Sequence, residues 1–120
     1  MTTRVSLLIV VGLLVGTVLG AQTAKPKVYG VGVQPCAAWL SGTNADGIDG
    51  IKAQMERLSV IAWATGYTTG AAAVYATHGV ILRDTTGTGI VESIQRHCAA
   101  KPGGTVEEAA ASLVAALLPK

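Results

Sequence analysis

The sequence predicts an all-α fold, a small four-helix domain with one disulfide bond, preceded by a cleaved signal peptide. Apolar residues recur at helical spacing in segments that end at glycine or proline. Two cysteines lie within these segments, and a largely apolar stretch without charges lies near the N-terminus. We expect a signal peptide over 1–20, an extended leader over 21–34 and a helical domain over 35–118.

The first segment has the layout of a secretory signal peptide. Arg4 supplies the positively charged N-terminal region, and residues 5–19 form an apolar run. Gly20 precedes Ala21 at the expected cleavage point. A run of this length is short against the ~20 residues that span a bilayer. The sequence therefore predicts a periplasmic or secreted protein with no membrane contact after cleavage.

The remaining 100 residues suffice for one small domain. The whole chain has nine Lys plus Arg and seven Asp plus Glu, and removal of Arg4 leaves a net charge of +1. No basic stripe of the kind that nucleic-acid binding requires is present. We expect no nucleic-acid partner.

Cys36 and Cys98 are the only cysteines. In an exported chain an even number of cysteines predicts a disulfide bond, which would stabilise the domain by roughly 4 kcal/mol. The competing interpretation is a catalytic pair of Cys98 with His97. Neighbouring residues on a helix point about 100° apart and cannot face each other, so the disulfide is favoured.

The first two predicted helices are a short one over 35–41 and a long one over about 49–77. Pro35 opens the short helix, where its missing N–H costs nothing, and Cys36 and Trp39 share one face. The long helix has two apolar stripes, one of residues 51, 55, 58 and 62 and one of residues 60, 63, 67 and 74. Because few polar residues follow position 62, we expect this helix to be central and surrounded by protein.

The long helix contains the octapeptide WATGYTTG at 63–70. Glycine inside a helix costs roughly 1 kcal/mol relative to alanine, so Gly66 and Gly70 require an explanation. With Ala62 they form a ridge of small residues, flanked by Trp63 and Tyr67, that would let another backbone approach closely. The alternatives are a helix break and a membrane dimerisation motif, and the charges of Lys52, Glu56 and Arg57 in the same helix weaken the second.

Two further helices complete the domain. One runs over about 89–99 with Val91, Ile94 and Cys98 on one face. The other begins at Thr105, where Glu108 three residues later completes a capping box. The fourth helix has an apolar, alanine-rich face that includes Leu113 and Leu117, and we expect this face to pack on the glycine ridge.

Catalytic and metal-binding patterns are missing from the sequence. His78 and His97 are isolated, and no group of residues has the spacing of a metal site. No Ser–His–Asp arrangement or phosphate-binding loop can be assembled. The sequence therefore predicts a protein without enzymatic activity, metal or cofactor.

The order of these features is similar to a known family. A first cysteine helix (CAAWL) is followed by a central helix with W-x-x-GY-x-x-G (WATGYTTG), a helix ending in the second cysteine (IVESIQRHC) and a final helix after proline (KPGGTVEEAAASLVAAL). Over residues 35–118 the chain resembles the HdeA/HdeB family of small periplasmic acid-stress proteins. The cysteines are further apart here, and the GTNADGIDG and DTTGTG loops are longer.

The resemblance implies an acid-stress, ATP-independent holdase chaperone, a possible homodimer near neutral pH that loosens in acid and then holds unfolded proteins as clients. Clients would bind to apolar side chains that are buried in the folded state. The candidates are Trp39, Trp63, Tyr67, Leu113 and Leu117. The central helix and the Cys…Pro…helix segment also resemble type VI secretion immunity proteins. That likeness implies an inhibitor of one toxin or envelope enzyme, with contacts in the loops at 43–49 and 84–88.

Overall fold

The computed structural model of the protein describes residues 27–42 and 47–120. The predicted signal peptide, the start of the leader and residues 43–46 lie outside this part. The described chain is all-α, has no strands and contains one disulfide bond, as the sequence predicts. Its helices are α1 (Cys36–Ser41), α2 (Gly47–Thr77), α3 (Gly87–Ala100) and α4 (Val106–Leu117), preceded by a 3₁₀ turn at Gly30–Val33.

Helix α2 has 31 residues and is therefore about 46 Å long. Gly79 ends it in the left-handed conformation, with φ of 74°, and the Val80 amide donates to the Tyr75 carbonyl. Only Val60, Ala64 and Thr68 of the helix are buried. The prediction that protein surrounds α2 is wrong, because α1, α3 and α4 leave one side of it exposed.

The remaining helices begin where the sequence supplies caps. The Thr86 side chain accepts a hydrogen bond from the Gly89 amide at the start of α3. At the start of α4, Thr105 and Glu108 form the predicted capping box. The buried face of α3 is Ile90, Ile94 and Cys98; the buried face of α4 is Val106, Ala109, Ala110, Leu113, Val114 and Leu117.

Helix α1 is tied to the others at its first residue. Cys36 is disulfide-bonded to Cys98 of α3. The Cys36 amide donates to the Gly104 carbonyl at 2.9 Å, and the Val106 amide donates to the Gln34 carbonyl at 3.0 Å. The first turn of α1 is therefore held covalently to α3 and by backbone hydrogen bonds to the start of α4.

The segment before α1 differs from its prediction. Residues 28–33 were expected to be extended, yet Gly30–Val33 turn as one 3₁₀ turn. Gly30 has a φ of 72°, a conformation that glycine adopts without strain. Gly32 is buried against the Trp63 indole, where an added Cβ atom would overlap the ring. The turn therefore covers one side of α2.

Candidate protein-binding face

Trp39 is a fully packed core residue and not a surface residue. It is 3% exposed, and its indole nitrogen donates to Gln95 Oε1 at 2.9 Å. The guanidinium carbon of Arg57 lies 3.9 Å from the centre of the ring, at cation–π distance. Trp39 thus joins α1, α2 and α3.

Trp63 and Tyr67 lie half-buried at the edge of the core. Their ring centroids are 5.1 Å apart, within the range of aromatic pairs. Burial raises the pKa of the Tyr67 hydroxyl, with smaller contributions from the charges of Glu107 and Tyr75. The close contact of Trp63 with Gly32 was not foreseen, because sequence spacing gives no sign of contacts between distant segments.

Leu113 and Leu117 complete the predicted apolar set, and both are buried in the core. The five candidate client-binding residues therefore all belong to the core or to its edge. Trp39, Leu113 and Leu117 could meet another protein only if the helices moved apart, whereas Trp63 and Tyr67 are already partly exposed.

The predicted packing of Gly66 and Gly70 against α4 is wrong. Both glycines are exposed, and no atom of the described chain would lie within 4 Å of a Cβ added to either, outside the neighbouring backbone of the helix. The core contacts Val60, Ala64 and Thr68 instead. At 100° per residue these three lie on the opposite side of the helix from Ala62 and Gly66.

The side of α2 that faces away from the core is exposed along the whole helix. We call it the outward face and define it by ten positions that are all exposed and uncharged: Ile48, Ile51, Met55, Leu58, Ala62, Thr65, Gly66, Thr69, Ala73 and Ala76. Ile48, Ile51, Met55 and Leu58 are each at least 60% exposed. A helix face in contact with water normally carries charged and polar residues, and exposed apolar patches mark interaction sites.

The outward face also lacks unsatisfied polar groups. The Thr65 hydroxyl donates to the Ile61 carbonyl at 2.8 Å, and the Thr69 hydroxyl donates to the Thr65 carbonyl at 2.8 Å. The charged residues of the first half lie outside the face, and two of them, Lys52 and Glu56, form an exposed pair at 3.9 Å. Another apolar surface could therefore cover the face without burying a charge or an unpaired hydroxyl.

A second candidate surface, which is concave, lies between α2 and the segment before α3. It encloses about 330 Å³ and is lined by Thr68, Thr69, Leu82 and residues 83–87, among others. The predicted loop at 84–88 borders it, although residues 87–88 already belong to α3. Of the other predicted loop, 43–46 lies outside the described residues and 47–49 forms the first turn of α2.

Other kinds of site find no support in the described residues. Within 27–42 and 47–120, no three His, Cys, Asp or Glu side chains are grouped as a metal site. None of the described helices is both long and apolar enough to cross a membrane. The outward face of α2 is thus the surface feature that most needs a functional explanation. Comparison of the chain with known protein families, with curated proteins and with solved structures finds no match, so its function is argued from this geometry.

Proposed function

We propose that this chain is a non-enzymatic periplasmic or secreted protein that binds other proteins, acting as an ATP-independent holdase chaperone. The outward face of α2 carries the proposal. Its ten uncharged positions offer apolar contact along about 42 Å of helix. Such a face suits unfolded clients, because apolar contact is non-directional and requires no defined partner geometry.

The disulfide bond supports the same function. Cys36 and Cys98 are separated by 62 residues, so α1 and α3 stay joined when packing loosens. Core residues such as Trp39 and Leu113 could then add to the client-binding surface without complete unfolding of the chain.

The test is suppression of client aggregation. Light scattering of a denaturing client should fall when the protein is added at neutral pH, and Leu58→Lys should weaken this effect by placing a charge in the middle of the face. Ala99→Lys is the matched control, since it adds the same charge at an exposed helical position of α3. Equal suppression by both variants would show that clients bind elsewhere.

The second candidate function is inhibition of one secreted toxin or envelope enzyme. The concave surface beside residues 84–86 favours it, because a groove between a helix and a loop suits one specific partner. Affinity capture from envelope extract at neutral pH distinguishes the candidates. One stoichiometric partner would support inhibition, and many weakly held proteins would support the holdase.

A further inference from the structure

Met55 is the one sulfur-containing residue of the outward face of α2. The chain has two methionines, Met1 and Met55, and Met1 belongs to the predicted signal peptide. Met55 is 64% exposed, so solvent reaches its side chain. The two cysteine sulfurs, of Cys36 and Cys98, are bonded to each other and fully buried. Among the sulfur atoms of residues 27–42 and 47–120, a dissolved oxidant therefore reaches the Met55 thioether first.

We propose that Met55 is a reversible oxidation site, and that its conversion to the sulfoxide weakens the binding of apolar partners to the outward face. This inference rests on the proposed function and deepens it, because unfolded clients are the partners that the face is proposed to hold. A thioether is apolar and flexible, whereas a sulfoxide is polar. The same residue thus has one form that suits the face and one that does not.

The oxidant is a peroxide, which donates one oxygen atom. The Met55 sulfur attacks one oxygen of hydrogen peroxide and the O–O bond breaks. The released hydroxide takes the proton from the transferred oxygen and leaves as water. Sulfur loses two electrons and the peroxide gains them. In the reverse step, methionine sulfoxide reductases return the thioether, as two thiols become a disulfide and the oxygen leaves as water.

The neighbours of Met55 make it a sensitive position for this change. Ile51 lies one turn before it and Leu58 one turn after it, and each is at least 60% exposed. Residues three or four apart on a helix are neighbours, so the three side chains form one continuous apolar surface. A sulfoxide oxygen would place a hydrogen-bond acceptor in the middle of this surface. An apolar partner would then bury the acceptor without supplying a donor, which costs binding free energy.

Two donors near Met55 on the helix are already engaged. The Ser59 hydroxyl donates to the Met55 carbonyl at 3.0 Å. The Lys52 ammonium group lies 3.9 Å from the Glu56 carboxylate. Water is therefore the partner that a sulfoxide at Met55 would keep, and a bound client would displace that water.

The fold itself does not depend on Met55. Its side chain belongs neither to the buried core nor to the partly buried residues packed against the core. Oxidation of a buried methionine disrupts packing, whereas oxidation here changes the polarity of an exposed face. We therefore expect the sulfoxide to lower partner binding while the melting temperature stays nearly unchanged.

Peroxide treatment followed by the client aggregation assay tests the site. Peptide mass mapping should place one added oxygen atom on Met55 of the parent chain. Each treated protein is compared with its own untreated sample, so that effects of a substitution itself cancel. We expect the treated parent to require about fivefold more protein for the same suppression of light scattering, and treated Met55→Leu to require no more than before. Equal losses in the two proteins would overturn the proposal.

A second variant tests whether position matters. Met55→Leu combined with Ala99→Met moves the thioether to an exposed position of α3, outside the outward face. Peroxide should leave client suppression by this double variant unchanged. A loss as large as that of the parent would show that a sulfoxide acts regardless of its place, which would contradict the proposal.

Reversibility is tested on the oxidised parent. Methionine sulfoxide reductases with a dithiol should restore client suppression, while untreated parent given the same dithiol is the control for the Cys36–Cys98 bond. A parent that regains its thioether by mass but stays weak, when that control remains active, would contradict a reversible site.

Retention on a phenyl matrix separates failure of the holdase from failure of the oxidation site. If untreated parent never suppresses aggregation, yet oxidation lowers the retention of the parent and not of Met55→Leu, the proposed function is wrong and the site stands. If fully oxidised parent suppresses aggregation as before, the site is wrong and the holdase stands. In a chain without holdase activity, unchanged retention after oxidation would overturn the site.

Discussion

Two glycines of this chain have opposite surroundings. Gly32 is buried, and a methyl group added to it would overlap the indole of Trp63. Gly66 is exposed in the middle of α2, where the added group would meet only open space. The sequence predicts close packing at Gly66, because Ala62, Gly66 and Gly70 are spaced four residues apart and form a ridge of small residues on the helix. The contact that needs a glycine is instead made by Gly32, in a segment about 30 residues earlier in the chain.

Alanine substitution should separate these two glycines. Gly32→Ala is expected to lower the free energy of unfolding by 1–3 kcal/mol, about the usual cost of overpacking. Gly66→Ala is expected to raise it by up to about 1 kcal/mol, through helix propensity and reduced freedom of the unfolded chain. Urea unfolding at low protein concentration measures both. A rise for both variants would contradict the packing described for Gly32, and a fall for both would contradict the open surroundings of Gly66.

Tyr67 gives a prediction at alkaline pH. Because the pKa of its hydroxyl is raised in the folded state, the folded chain holds this proton more tightly than the unfolded chain. Stability should therefore fall as pH rises above about 10, where the unfolded tyrosine ionises. Tyr67→Phe should reduce this loss, while Tyr29→Phe, at a position 71% exposed, should not. Thermal unfolding at pH 8 to 11 measures the loss of stability in both variants. An identical loss in the two would contradict the role given to Tyr67.

At the scale of helices, the sequence predicts where a helix begins and ends better than it predicts which face of the helix is buried. Caps are local: Gly79 ends α2 in the left-handed conformation, and Thr105 begins α4 with its capping box. The core-facing side of α2 was harder to identify, because both of its stripes are apolar. Long-range packing selects Val60 and Ala64 for the core and leaves the stripe with Leu58 exposed, and no pattern within the helix decides between them.

The capping box of α4 should contribute measurably to stability. Thr105 accepts a hydrogen bond from the Glu108 amide, and the Glu108 carboxylate accepts one from the Thr105 amide. Thr105→Ala is expected to lower the free energy of unfolding by about 1 kcal/mol. Thr88→Ala, at an exposed position in the first turn of α3, is the control and should change it by less than about 0.5 kcal/mol. Circular dichroism during urea unfolding measures both, and equal effects would argue against the cap.

At the scale of the whole molecule, the disulfide bond compensates for a small core. The core holds few large side chains, and the sequence contains no Phe. The Cys36–Cys98 bond spans a separation of 62 residues, which corresponds to about 4 kcal/mol by loop entropy. Replacing both cysteines with alanine should lower the free energy of unfolding by about that amount. Intact mass with and without reductant checks the bond, and two free thiols in the native protein would contradict it.

The charge of the molecule changes strongly in acid. In the chain without the predicted signal peptide, and so without Arg4, eight basic side chains nearly balance seven acidic ones at neutral pH. Below about pH 3 carboxylates protonate and both histidines are charged. The net charge then rises from +1 to +10. Repulsion of this size loosens compact states, while the disulfide keeps α1 joined to α3.

Loosening in acid should increase holdase activity, because it would add core residues such as Trp39, Trp63 and Leu117 to the exposed outward face of α2. Any small protein gains charge in acid, so charging alone is no evidence, and the prediction requires a gain of function. At about pH 2–3, a given amount of this protein should suppress the light scattering of a denaturing client more strongly than it does at neutral pH. The protein without its disulfide is the control and should lose the gain by unfolding completely. Suppression no greater in acid than at neutral pH, with the bond intact, would contradict this gain, and no suppression at either pH would exclude the chaperone and favour the inhibitor.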